Sequence, residues 1–195
     1  MRFSIIIPAF NASGHIRKAL DSIKSQTFTD YELIVVCDNC EDDTEEIAKE
    51  YGARTEVVHY GRDGLTRNKG LEMATGEYIL FMDDDDWWLH EYVLEQIDQK
   101  LRQYPEIDVL CFSFIFKGRG YAEPNGNVGG HWIAAWNKCY RRDFIKDCRF
   151  SYEWGRSDVK FFYDVFRRFP KYLDWDMPMY YYNYMRKGSI TDKGY

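Results

Sequence analysis

The chain of 195 residues lacks any stretch of about 18 consecutive apolar residues, so it carries no candidate membrane-spanning helix. Its opening, MRFSIIIPAF, is too short an apolar run for a secretory leader, and no small-residue cleavage site follows; the expected location is the cytoplasm. Basic residues nowhere form a stripe and the formal net charge is −6, which makes nucleic acid and an anionic membrane poor partners. Five cysteines, an odd number, speak for free thiols rather than a disulfide framework. Cys37 and Cys40 form a CxxC, but no second CxxC or CxxH completes a zinc set. Asp38, Glu41, Asp42 and Asp43 surround the pair, and negative charge raises thiol pKa where a redox centre needs it lowered. After the first apolar stretch comes PAFNASG, without G-x-G or a Walker pattern, so neither a dinucleotide fold nor a P-loop is present.

What is there reads as an ordinary globular chain, 45% hydrophobic and 30% charged, long enough to bury a real core. Short β-branched runs alternate with helical periodicity, the pattern of an α/β fold with a mostly parallel central sheet flanked by helices. Strands are expected at 3–7, 33–36, 56–59, 78–82 and 108–116. The intervening helices are expected at 42–51, 64–74 (closed by Gly76) and 89–103, with a first one capped by Ser13 and bearing Ile16, Ala19, Leu20 and Ile23 on one face. The glycine-rich segment 117–130, KGRGYAEPNGNVGG, is the expected mobile loop and internal boundary. Beyond it aromatics crowd the chain, Tyr180, Tyr181, Tyr182 and Tyr184 most densely; most belong to a core, with Trp132, Trp136 or Trp154 as candidates for a platform under a sugar ring.

The chemistry concentrates in YILFMDDDDWW, residues 78–88, where a strand delivers four adjacent aspartates at its carboxyl end. Ligands of open α/β sheets bind at such ends. Like charges flanked by residues that favour burial need positive charge among them. Strand alternation would turn Asp83 and Asp85 one way and Asp84 and Asp86 the other, leaving two converging carboxylates suited to Mg²⁺ or Mn²⁺, whose shells are completed by phosphate and water. Capping of the next helix is the competing explanation for Asp86. Arg67 and Asn68 precede this strand and are candidates for a diphosphate.

Taken together, SIIIPAFNASGHIRKALDSIKSQTFTDYELIVV, GLTRNKGLEMATGEYILFMDDDDWW and YYYNYMRKGSIT resemble the family 2 glycosyltransferases with a GT-A fold, over nearly the whole chain. The resemblance implies a single domain, 1–195, with a nucleotide-sugar half (1–116) and an acceptor half (117–195). Pro8, Ala9, Phe10, Asn11 and Asp38 would line the nucleoside pocket and Arg67 and Asn68 would lie near the diphosphate. Asp83 and Asp84 would join the donor site, and Asp85 would hold Mn²⁺ or Mg²⁺. The chain departs from the family in having Cys37, Asp38, Asn39 and Cys40 after the second strand, and Ser157-Asp158 where a Glu-Asp pair is usual.

Asp158 lies three residues before Phe161, on the face that Phe161, Phe162, Val165, Phe166 and Phe169 make apolar, which points a carboxylate inward. By resemblance it is the general base for an acceptor hydroxyl, with His131 as the rival. The implied activity is metal-dependent, inverting transfer of a sugar from a nucleoside diphosphate sugar, UDP by family habit, to a hydroxyl of a glycan or lipid-linked acceptor in cell-surface polysaccharide synthesis. Any membrane association would be peripheral. The alternatives are a non-catalytic nucleotide-sugar or glycan binding module and a sugar-phosphate nucleotidyltransferase; the latter wants a basic glycine-rich loop that PAFNASG does not supply.

Overall fold

The structure, a computed structural model, describes residues 1–124, 132–153 and 156–186. His131, Trp154 and the last six residues of the glycine-rich segment (125–130) lie outside the described residues, as does the end of the closing motif from 187 on.

Strand β1 (Phe3–Ala9) leads into helix α1 (Ile16–Lys24), whose buried Ile16, Ala19, Leu20 and Ile23 are the stripe read from the sequence. Ser13 does not cap it: the helix is preceded by His15 without a side-chain cap, and the Ser13 amide donates to Asp42 Oδ2 at 2.9 Å. Then come β2 (Tyr31–Asp38), α2 (Thr44–Glu50), β3 (Arg54–Val58), α3 (Asp63–Met73) and β4 (Tyr78–Phe81). Helix α3 lies so close over β1 that a Cβ at Gly70 would sit 2.3 Å from Ile6 Cγ2. It ends at Met73 with Ala74 already extended, ahead of Gly76.

The second half adds β5 (Trp87–Trp88), α4 (Val93–Gln103), β6 (Val109–Phe116), β7 (Gly120–Ala122), β8 (Lys138–Arg141), α5 (Arg142–Ile145), α6 (Ser157–Phe166) and β9 (Tyr172–Tyr182). Helix α4 starts later than periodicity suggests because the backbone of 89–91 is engaged elsewhere: the Leu89 amide donates to the Met179 carbonyl, and the His90 and Glu91 carbonyls accept from the Gln26 side chain and the Thr27 amide. The start of the glycine-rich segment is a hairpin, not an open loop: β7 folds back on β6, pairing Gly120 with Phe116. The sheet runs β3-β2-β1-β4-β8-β6-β9-β5, with β7 on β6. Its first four strands are parallel as expected, and beyond them it is mixed, because β8 enters antiparallel to both β4 and β6.

Side chains alternate across β1 as a strand requires, with Ile5 and Ile7 in the core on one face and Ile6 in the core on the other. The first face also buries Leu20, Phe112 and Tyr180; the second buries Phe81, Tyr140 and Phe161. The chain leaves β1 toward β2 on one side and returns to β4 on the other, so the crevice where ligands bind in such sheets opens between the ends of β1 and β4.

Glu32 shows how the sheet is pinned at its other end. Burial alone would raise its carboxyl, but donors from the Ser4 and Thr75 hydroxyls, the Thr75 amide and Arg54 hold it down to about 2. The folded value lies below the ordinary 4.5, so the stabilisation is present above that pH and is lost as pH falls toward 2. Glu32→Gln should therefore cost about 3 kcal/mol at pH 7 and progressively less on acidification, read from urea midpoints across pH. A cost independent of pH would show that the charge is not what matters.

Candidate active site

Asp83 to Asp86 do not continue β4. The Asp86 amide donates to the Asp83 carbonyl at 3.2 Å, closing a turn, so strand alternation does not govern these side chains and the four carboxylates fan out. Asp83 accepts from Arg67 Nη2 at 2.7 Å, and Asp85 from Arg186 Nε at 2.6 Å. Asp84 faces His15 Nε2 at 3.1 Å and accepts from the Phe10 amide at 3.3 Å. Asp86 is fully buried and accepts from Tyr180 Oη and the Asn183 amide, both at 2.7 Å. It therefore anchors the turn to β9 and does not cap α4. The positive charge that the run demands comes from α3 and from the segment after β9.

Even with those partners the loop is short of positive charge. Burial pushes the carboxyls of Asp83 and Asp85 above the usual range against the pull of Arg67 and Arg186, and pushes Asp86 well above it. The donor atoms offered are all carboxylate oxygens, which suits a hard dication. Among the described residues no three carboxylates, imidazoles or thiols are placed to hold a metal ion together. The donor set can serve a cation held by one or two carboxylates and completed by phosphate oxygens, and does not fit a closed protein cage.

The end of β1 forms the facing wall. Phe10 is 61% exposed, and Asn11, at φ +45, uses Oδ1 to accept the Glu41 amide at 2.8 Å. Pro8 is half-buried and Ala9 buried. Asp38, at the end of β2, is turned into the protein: its two oxygens accept the amides of Tyr60, Gly61 and Arg62 at 2.8–3.0 Å and the Thr66 hydroxyl at 2.9 Å. It fixes the turn that enters α3. Asn68 is likewise spent, its amide exchanging two hydrogen bonds with the Phe150 backbone, and so staples α3 to the approach to α6. Cys37 and Cys40 are free thiols, and the hydrogen bond between them together with burial raises the Cys37 thiol.

Arg67 is the hub. Side-chain exposure of 9% leaves its guanidinium among three carboxylates: Asp63 and Asp83 at 2.7 Å, and Asp158 at 4.0 Å. Asp158 stands in the first turn of α6, as its spacing from Phe161 implied. Its Oδ2 accepts the Ala135 amide at 3.4 Å, whereas Oδ1 is buried and has no hydrogen-bond partner. Burial raises its carboxyl, Arg67 pulls the other way, and Asp83 and Asp63 add to the rise. A buried carboxylate oxygen without a hydrogen-bond donor costs about 1–3 kcal/mol.

Three parts of this arrangement were not read from the sequence. Asp63 accepts both Arg67 and the Ser157 hydroxyl, so a carboxylate from α3 stands beside position 157. Helices α3 and α6 meet there closely: a Cβ on Gly64 would lie 2.0 Å from the Ser151 carbonyl oxygen. Lys138 is fully buried, lowered to about 8 by desolvation, and donates to the Trp132 and Ala134 carbonyls, which holds the Ala135 amide toward Asp158. Arg186 lies beyond the last strand and only the fold brings it to Asp85. Trp136, by contrast, is not available as a sugar platform, since it is buried and stacked on Tyr180 with centroids 4.7 Å apart. Trp132 packs edge-on against Phe114, partly buried.

Comparison with known proteins agrees with this architecture. The crystal structure of S. aureus TarS 1-349 in complex with UDP-GlcNAc superposes with a TM-score of 0.85 and 26% sequence identity, covering 100% of this chain and 62% of that one. Glycosyltransferase GlyA of Streptococcus pneumoniae is 28% identical over 97% of this chain and 31% of its own length. The GalNAc(5)-diNAcBac-PP-undecaprenol beta-1,3-glucosyltransferase of Campylobacter jejuni is 24% identical over 97% of this chain and 67% of its own. The chain thus spans about a third of GlyA and three fifths of the TarS fragment. The family profile for glycosyl transferase family 2 matches residues 4–174, and the chain belongs to that family, with its GT-A fold.

Proposed function

We propose that the chain transfers a sugar from a UDP-sugar to a hydroxyl of a glycan or lipid-linked acceptor, with inversion at the anomeric carbon, in the synthesis of a surface polysaccharide. The observation that carries this reading is the buried, donorless Oδ1 of Asp158, joined through one guanidinium to the aspartate turn at the β4 end. Asp158 takes the proton from the acceptor hydroxyl, whose oxygen attacks the anomeric carbon opposite the diphosphate. No protein nucleophile takes part in this scheme, so one displacement inverts the centre. Pro8, Ala9, Phe10 and Asn11 line the nucleoside, Asp38 acts by shaping the turn at 60–62, and Arg67 keeps Asp83 and Asp158 in place. Asp85 would hold Mn²⁺ or Mg²⁺, which when bound would supply neutralising charge for the diphosphate. On this reading residues 1–116 serve mainly the donor and 117–195 the acceptor, with Arg186 crossing over to the donor side. The support for UDP is the TarS complex with UDP-GlcNAc.

The test is thermal shift with a panel of nucleoside diphosphates, with Mn²⁺ or with chelator. UDP with Mn²⁺ at about 100 times Kd should stabilise by about 2.7 kcal/mol, a shift of roughly 5–10 °C for a domain of this size. Chelator, or Asp85→Asn, should abolish it. An equal shift in chelator contradicts the metal assignment, and no shift with any nucleotide contradicts the donor.

A further inference from the structure

The connection from α6 to β9 is not explained by the site or by the core. The apolar face of α6 was expected to include Phe169, but the helix ends at Phe166 and Phe169 is 90% exposed. Its backbone is held at φ +53 by a hydrogen bond from its amide to the Phe166 carbonyl at 3.1 Å. Glycine or asparagine usually fills that left-handed position at a helix end, and a bulky aromatic is disfavoured there. One residue thus combines an unfavourable backbone with an unburied ring, and neither helps the chain fold. An outlier of this kind is a reason to look for a function.

Its neighbours identify the partner. Arg167, Arg168 and Lys171 flank the ring, so residues 166–172 carry three positive charges and no negative one, in a chain of net charge −6. Arg168 pairs loosely with Asp147 at 3.6 Å, whereas among the described residues Arg167 and Lys171 have no ion-pair partner. Tyr163 and Tyr172, about half exposed, lie beside the tip, Tyr163 under the Arg167 guanidinium at 5.3 Å. An exposed ring ringed by cations and tyrosines matches the boundary of an anionic bilayer, where apolar groups enter the acyl region and basic groups stay among the headgroups. We propose that this loop is a membrane contact, with Phe169 inserted into an anionic lipid surface and Arg167, Arg168 and Lys171 at headgroup level.

The overall negative charge does not forbid this. Exposed charges interact over a Debye length of about 8 Å at physiological salt, so the local cations decide the approach of this tip. Helix α6, of ten residues, is about 15 Å long, which sets Asp158 in its first turn that far above the lipid boundary when the loop inserts along the helix axis. The contact itself does not depend on the transferase reading.

The test is co-sedimentation of the full chain with vesicles of phosphatidylcholine alone and of phosphatidylcholine mixed with phosphatidylglycerol. The protein should pellet with the anionic vesicles, less so as salt rises, and should stay in solution with the neutral ones. Phe169→Gly should weaken partitioning about tenfold, and Lys171→Gln about fivefold. Glycine suits the φ at 169, so the first variant should melt no lower than the parent, which separates lost binding from lost folding. The inference is overturned if the parent does not pellet with anionic vesicles, or if Phe169→Gly pellets like the parent. It is equally overturned if Phe169 instead drives self-association, seen as a concentration-dependent mass that the glycine variant abolishes while vesicle binding stays absent.

Discussion

Asp158→Asn should lower sugar transfer by about 10²–10⁴-fold while leaving donor affinity nearly unchanged, because a general base acts on the acceptor and contributes in that range. The amide preserves shape and can still accept the Ala135 amide, and the oxygen it replaces has no donor in the protein, so the fold loses little. What is lost is the capacity to take a proton. The pH profile carries the same signature. Burial raises the Asp158 carboxyl above its ordinary value, and the base works only when ionised, so the acidic limb of the parent's rate profile should lie above the usual aspartate range. Asp158→Asn should erase that limb.

Arg67→Met should be the most destabilising single change in the site, at about 3–5 kcal/mol at neutral pH. Methionine fills the volume of the stem, but three carboxylates then face one another without the guanidinium that separates them. Asp83 and Asp158 are raised by burial even in the presence of Arg67, and without it they rise further. A carboxyl whose folded value lies above its unfolded one stabilises at low pH and loses that contribution as pH rises through the folded value. The variant should therefore be least impaired in mild acid and most impaired at alkaline pH, as urea midpoints would show. Adding Asp83→Asn should recover part of the loss, since the two residues touch and their effects cannot add. A cost below about 1 kcal/mol at every pH would mean that water replaces the guanidinium freely.

The contrast between these two residues shows what the sequence made legible. Periodicity located α1 and its buried stripe, and the spacing of Asp158 from Phe161 located an inward carboxylate, because both are properties of a single helix. The turn at 83–86 was misread as extended because nothing local announces where β4 stops. Strand β5 has two residues and no pattern of its own; only its pairing with Tyr180 and Tyr181 makes it a strand. Several partners in the site are distant in sequence, with Asp63 and Ser157 separated by 94 residues and Arg186 and Asp85 by 101. Phe169 was read as core because it continues an apolar spacing, and the helix ends before it arrives. Asp38 and Asn68 were legible as important positions, but their roles as backbone clamps emerge only with the loops they hold.

The most direct measurement is nucleotide release from a UDP-sugar with a saturating acceptor, made on the parent and Asp158→Asn in Mn²⁺, beside calorimetric titration of UDP into both. The account predicts equal UDP affinities and release slower by at least about 10²-fold in the variant. Release at the parent's rate by Asp158→Asn would contradict it, and would move the search for the base to His131.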